Sequence, residues 1–212
     1  MKLDSGYWRH LPLVGVVIAL ALFYMATTLY PGGTSGSTST LGFDWAQNFI
    51  STLFAPSALN GVENSARLFA IPVMLVLCVS IGVLFKSISN KSTSRINSKT
   101  IEIAGIGSAV YAFMVATPMH DLMVSIGLLF ALTALLATLY LLYANRYWLL
   151  FWVGVICVVI KMVSATMYYG DVLFDLLPVM QKAGMAALIG WLVAVHYTSF
   201  DQQGGVPVEN EL

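Results

Sequence analysis

Six stretches of the chain are apolar over roughly twenty residues each, the length an α-helix needs to cross the hydrocarbon core of a bilayer. They fall at about 11–30, 66–88, 101–119, 122–144, 147–169 and 174–197. The third and fourth are parted only by Thr117-Pro118-Met119-His120-Asp121, where a proline and two later polar residues mark a tight turn at a membrane surface. Lys2 and Arg9 precede the first run. That run exceeds the roughly 7–15 residues of a signal-peptide core, so a retained first helix is expected.

The longest polar stretch, residues 31–65, changes character along its length. Pro31 to Thr40 is a Gly/Ser/Thr-rich flexible linker by composition. From Asp44 to Phe54, Trp45, Phe49, Ile50, Leu53 and Phe54 recur at helical spacing, with Asp44, Gln47, Asn48 and Ser51 opposite. This predicts an amphipathic interfacial helix over 44–54, capped by Asp44 and ended by Pro56. Asn60-Gly61 reads as a turn, and Asn64 or Ser65 as the cap of the next helix, with Arg67 in its first turn.

Composition places the whole chain, 1–212, in the membrane class as one domain. It is 58% hydrophobic and 9% charged, against about 25% charged in soluble domains. A formal net charge of zero offers no basic face for nucleic acid. Cys78 and Cys157 sit inside apolar runs as small buried hydrophobes. Lysine and arginine set the orientation. Lys2, Arg9, Lys86, Lys91, Arg95, Lys99 and Arg146 fall on one side and Arg67 alone on the other. By the positive-inside rule both termini and the tail 198–212 are cytoplasmic, and the loops at 31–65, 117–121 and 170–173 face out. Glu102 reads as a first-turn charge favourable to the third helix dipole.

Two further cations lie inside apolar runs. Lys161 is eight residues before Tyr169 and Lys182 eight after Phe174, so both sit about 12 Å in from the same end of consecutive helices. A charge at that depth costs at least about 2.5–3.5 kcal/mol and normally faces protein or water. Ser164 and Tyr168 extend one polar stripe outward from Lys161; Asp175 and Gln181 flank Lys182. Together they predict an outward-opening polar cavity for an anionic group, the plainer reading being two lysines that tie the bundle through backbone carbonyls. His120-Asp121, with Asp44 on the same side, is the candidate for hydrolytic acid/base work, the competing reading being a helix-capping pair. No metal-ligand spacing occurs and no cofactor is expected. His10 and His196 read as interfacial anchors before haem ligands.

Taken in order, Phe43 to Leu53, Glu63-Asn64-Ser65-Ala66-Arg67-Leu68-Phe69 and Thr117-Pro118-Met119-His120 resemble an uncharacterised prokaryotic family of six-helix integral membrane proteins. That family is in turn similar in layout to the DRAM/Sfk-like proteins of eukaryotes. It carries an Asn-x-Ile-Ser-x-Leu-like segment in its first outer loop and a histidine near the start of helix four. Phe54 stands where glycine is usual. The resemblance implies a prokaryotic cytoplasmic membrane, a site on the outer face, and Asn48, Ser51, Arg67 and His120 as site candidates.

The expectation is therefore an all-α, six-transmembrane-helix bundle with an interfacial helix in its first outer loop. The leading function is binding of a lipid headgroup or small amphiphilic anion by Lys161, Lys182 and Arg67, with membrane lipids as partners. The alternatives are an intramembrane hydrolase or transferase using His120 with Asp121 or Asp44, and an assembly partner using the small face Gly105, Ser108, Ala109 and Ala112 of the third helix.

Overall fold

The structure, a computed structural model, describes residues 7–115, 117 and 119–200, the side chains of Trp8 and His120 excepted. The tail from 201 onward, Lys2, Pro118 and the His120 side chain thus lie outside the described residues. Six long helices follow in order: α1 (Leu11–Thr28), α2 (Arg67–Ser89), α3 (Arg95–Met114), α4 (His120–Ala144), α5 (Trp148–Gly170) and α6 (Leu177–Tyr197). Each packs on the next, and α2 also packs on α6. Five are long and apolar enough to cross a membrane; α3 does not meet that measure. The apolar surface is turned outward, with Val17 57%, Leu129 66% and Leu149 79% exposed. That inversion is what a helical membrane protein needs, because only lipid tolerates such a surface.

Helix contacts rest on small residues. A Cβ added to Gly105 of α3 would lie 2.2 Å from the Phe85 ring of α2, and one added to Gly154 of α5 would lie 2.4 Å from Trp191 of α6. Gly105, Ser108 and Ala109 are buried, so most of the small face of α3 is used within the bundle.

Helix three departs most from the expected boundaries. It begins at Arg95, six residues early, because Ser94 Oγ accepts the Asn97 N–H at 3.4 Å and starts it in a polar stretch. Glu102 is consequently two turns in rather than in the first turn. It bridges Lys86 of α2 at 2.8 Å and Lys99 at 3.0 Å.

The loop 31–65 is built, not a linker. Gly33 N–H donates to Thr40 O at 2.9 Å and Thr34 N–H to Ser37 O at 2.7 Å, closing residues 32–41 into a tight antiparallel turn. Gly33, at φ 87°, runs so close to the 59–60 backbone that a Cβ would lie 2.3 Å from Asn60 N. The expected Asn60-Gly61 turn forms, with Gly61 at φ 83°. Asn64 and Ser65 do not cap α2, whose N-cap is Ala66. Asn64 is buried instead, and its Nδ2 donates to the carbonyls of Thr52, Leu53 and Ala55. Asn64→Leu should strand those carbonyls and cost about 1–3 kcal/mol, read as a lower unfolding midpoint in detergent.

The opposite end brings residues 9–10 against residues 196–197. Arg9 Nη2 donates to Tyr197 O at 2.8 Å, His10 Nδ1 meets Tyr197 Oη at 2.7 Å, and His196 Nε2 meets Arg9 O at 2.9 Å. Lys91 donates to Thr198 O, and Tyr147 to Ser199 O at 2.6 Å. Burial, with Arg9 close by, lowers Lys91 from 10.5 to about 8. Between those two values the unfolded chain holds more protons than the folded one, so stability rises with pH across the window. Relative to Lys91→Met, the wild-type protein should be flat below pH 8 and gain stability from pH 8 to 10.5 in denaturant titrations.

Candidate functional site

The segment 43–54 and α6 build the site together, and their bonds explain why no interfacial helix forms there. Asp44 does cap a turn: its Oδ1 accepts Ala46 N–H at 2.8 Å and Gln47 N–H at 3.1 Å. An α-helix would next bond Ile50 N–H to the Ala46 carbonyl and Thr52 N–H to that of Asn48. Instead Gln181 Oε1 of α6 takes Ile50 N–H at 3.0 Å, and Lys182 Nζ takes Asn48 O at 2.6 Å. Phe49 is left extended, and only a 3-10 turn, Ile50–Phe54, follows. Leu53 and Phe54 are nevertheless buried against the bundle, while Trp45 stays exposed.

Beneath this roof lie two separate cavities on either side of α6. One, about 470 Å³, is lined by α1, the segment 43–53 and the α6 face carrying Lys182. The other, about 340 Å³, runs among α3, α4, α5 and α6 and contains Lys161, Ser164, Tyr168, Gln181 and Ser51 in its walls. Ile50 and Met185 belong to both walls. Lys161 and Lys182, expected to share one pocket, therefore do not: adjacent helices at equal depth turned them to opposite sides of α6.

Their surroundings differ as much as their positions. Lys182 donates to Asn48 O at 2.6 Å and Pro178 O at 2.9 Å, and lies 5.7 Å from the centre of the Phe43 ring. Asn48 is itself fully buried and satisfied, its Oδ1 accepting Asp44 N–H at 2.8 Å and its Nδ2 donating to Gly33 O at 2.8 Å. Lys182 and Asn48 thus fasten the loop 31–65 to α6, the tying role of the plainer reading. Lys161 reaches across to the α6 backbone, its Nζ 3.7 Å from where a Gly184 Cβ would stand. Among the described residues none accepts a hydrogen bond from its ammonium.

The other candidates divide between mouth and periphery. Tyr168 Oη donates to Asp121 Oδ1 at 2.7 Å, and Tyr169 Oη meets Ser125 Oγ at 2.8 Å, lacing the start of α4 to the end of α5 beside the Lys161 cavity. Asp44 belongs to the Lys182 side of α6, and its Oδ1 is spent on backbone amides. Asp175, on the exposed 3-10 turn Phe174–Leu176, lines neither cavity. Arg67 also lies outside both; its Nε is buried without a hydrogen-bond partner. Gly184 was missed by sequence reasoning, although a glycine three residues after Gln181, on the face of a membrane helix, is the signal for such a close approach. No group of three His, Cys, Asp or Glu side chains able to hold a metal occurs among the described residues.

No family model, curated protein or solved structure matches this chain.

Proposed function

We propose that this chain is a six-span protein of a prokaryotic cytoplasmic membrane, its termini cytoplasmic, which binds an amphiphilic anion in the outward-facing cavity through Lys161. The hydrogen bonds joining residues 9–10 to residues 196–197 support an even number of crossings. Five helices qualify by hydropathy, and α3, packed between α2 and α4 by short connections, supplies the sixth. Its first turns, with Arg95 and Lys99, then lie at headgroup level among Lys86 and Lys91, as the positive-inside rule expects. The family resemblance carried by residues 43–53, 63–69 and 117–120 belongs to the same proposal.

The observation that carries the binding reading is the contrast between the lysines. Lys182 is held by two carbonyls. Lys161 is nine residues below Gly170, about 13 Å inward, and lines a cavity where nothing described accepts from it. A cation kept at that depth without a protein partner calls for an anion. The lining around it is largely apolar, including Phe49, Phe54, Val124 and Leu128, which suits the tail of an amphiphile.

Native mass spectrometry of protein released from its own membranes tests this. The wild type should carry acidic amphiphile adducts that Lys161→Met lacks; identical adducts on both would overturn the reading. The Tyr168–Asp121 pair at the mouth favours a second reading, an intramembrane hydrolase or transferase. A lipid-turnover screen in which His120→Ala and Asp121→Asn both match the wild type removes it.

A further inference from the structure

We infer, resting on the Lys161 reading above, that the ligand is a single-chain carboxylate whose head is held between the Lys161 ammonium and the side-chain amide of Gln181. The orientation of that amide is fixed. A backbone N–H can only donate, so the Gln181 atom 3.0 Å from Ile50 N is the oxygen. The amide nitrogen, with two donors, is the end left over, and no described residue accepts from it. Lys161 comes to α6 at Gly184, three residues from Gln181 and so on the same helix face. Both side chains line the one cavity. The wall of this one cavity therefore holds two sets of donors, one on Lys161 and one on Gln181, and no carboxylate.

A carboxylate matches this arrangement in charge and in valence. It carries one negative charge, and its two oxygens can each take a donor. A phosphate monoester brings about −1.5 to −2 charges, leaving excess charge uncompensated at a depth where that is costly. An alcohol or a sterol would leave the ammonium unpaired. Size points the same way. The cavity, about 340 Å³, is at the low end of ligand sites, which span about 300–1,000 Å³; one hydrocarbon chain suits it better than a whole two-chain phospholipid. Ser164 Oγ spends its one proton on Ile160 O at 2.8 Å and so offers none to the ligand.

The same geometry couples ligand to roof. The Gln181 side chain holds Ile50 of the roof with its oxygen and the ligand with its nitrogen, so binding should tighten the segment 49–54.

The test is titration calorimetry on the full-length protein in phosphatidylcholine nanodiscs with laurate, dodecyl phosphate and dodecanol. Laurate should bind tightest, with the other two weaker by about 10–100-fold, the effect of one lost charge-assisted hydrogen bond. Gln181→Glu keeps an oxygen for Ile50 N–H and hence the roof, but replaces the free donors with a charge that engages Lys161. It should lose laurate binding by a similar factor while eluting and melting as a folded protein. If dodecyl phosphate binds as tightly as laurate or tighter, the carboxylate assignment fails while the amphiphile reading stands. If laurate binds folded Gln181→Glu as it binds the wild type, Gln181 has no part in the site and the inference is overturned. If none of the three binds the wild type, both fall together.

Discussion

Lys161→Met should make the ligand-free protein more stable and, at the same time, unable to hold its ligand. Methionine is unbranched and one atom shorter than lysine, and leaves no charge among apolar walls. An ammonium at this depth costs about 2.5–3.5 kcal/mol on insertion scales. Part of that is relieved because the cavity admits water, so a gain of about 1–2 kcal/mol is expected. Affinity for an anionic amphiphile should fall about 100-fold or more, the loss of a charge-assisted contact in a largely apolar site. Guanidinium or thermal unfolding in detergent reads the first effect, and ligand titration the second. A destabilised Lys161→Met protein would mean that Lys161 is a structural tie after all. Stability gained by deleting a polar group is the expected signature of a group kept for function.

The same substitution at Lys182 should act in the opposite direction. Lys182 supplies both the donor that takes Asn48 O and the one that takes Pro178 O, and Asn48 is fully buried. Methionine there leaves a buried carbonyl without its donor and frees the loop 31–65 from α6. Hydrogen bonds to charged groups contribute about 1.5–3 kcal/mol each in soluble proteins, but nearer 1 kcal/mol within membranes. The expected loss is about 2–4 kcal/mol, with faster proteolysis within residues 43–54. An unchanged melting point and cleavage pattern would remove Lys182 from its fastening role. Two lysines at nearly equal depth, given the same replacement, are thus expected to shift stability in opposite senses.

Much of this architecture is legible in the sequence, because the hydropathy of long helices survives any tertiary arrangement. The expected runs at 11–30, 66–88, 122–144 and 147–169 meet helices Leu11–Thr28, Arg67–Ser89, His120–Ala144 and Trp148–Gly170 within a few residues. Helix three was expected at 101–119 but starts six residues earlier, because its first two turns are polar and its start depends on Ser94 as a cap, a local bond to which an apolar window is blind. The interfacial helix failed for a different reason. Its pattern is helical, but Gln181 and Lys182, some 130 residues away in sequence, take the backbone groups a helix would need. Depth along the helices singles out the two lysines in the sequence. Which side of α6 each would occupy depends on helix rotation, set here by packing such as Gly154 against Trp191 and Gly184 against Ile160. Gln181 was in view as a neighbour of Lys182, whereas its place is in the wall with Lys161.

Under the proposed function Lys161 is held in reserve for an anion while Lys182 is committed to the fold. Lysine acylation followed by peptide mass spectrometry, run on the folded protein in nanodiscs with and without laurate, distinguishes the two roles. A small membrane-permeant acylating reagent should modify Lys161 in the absence of laurate, be blocked there by saturating laurate, and leave Lys182 unmodified in both conditions. Equal labelling of the two lysines, or labelling of Lys161 that laurate does not change, would contradict it.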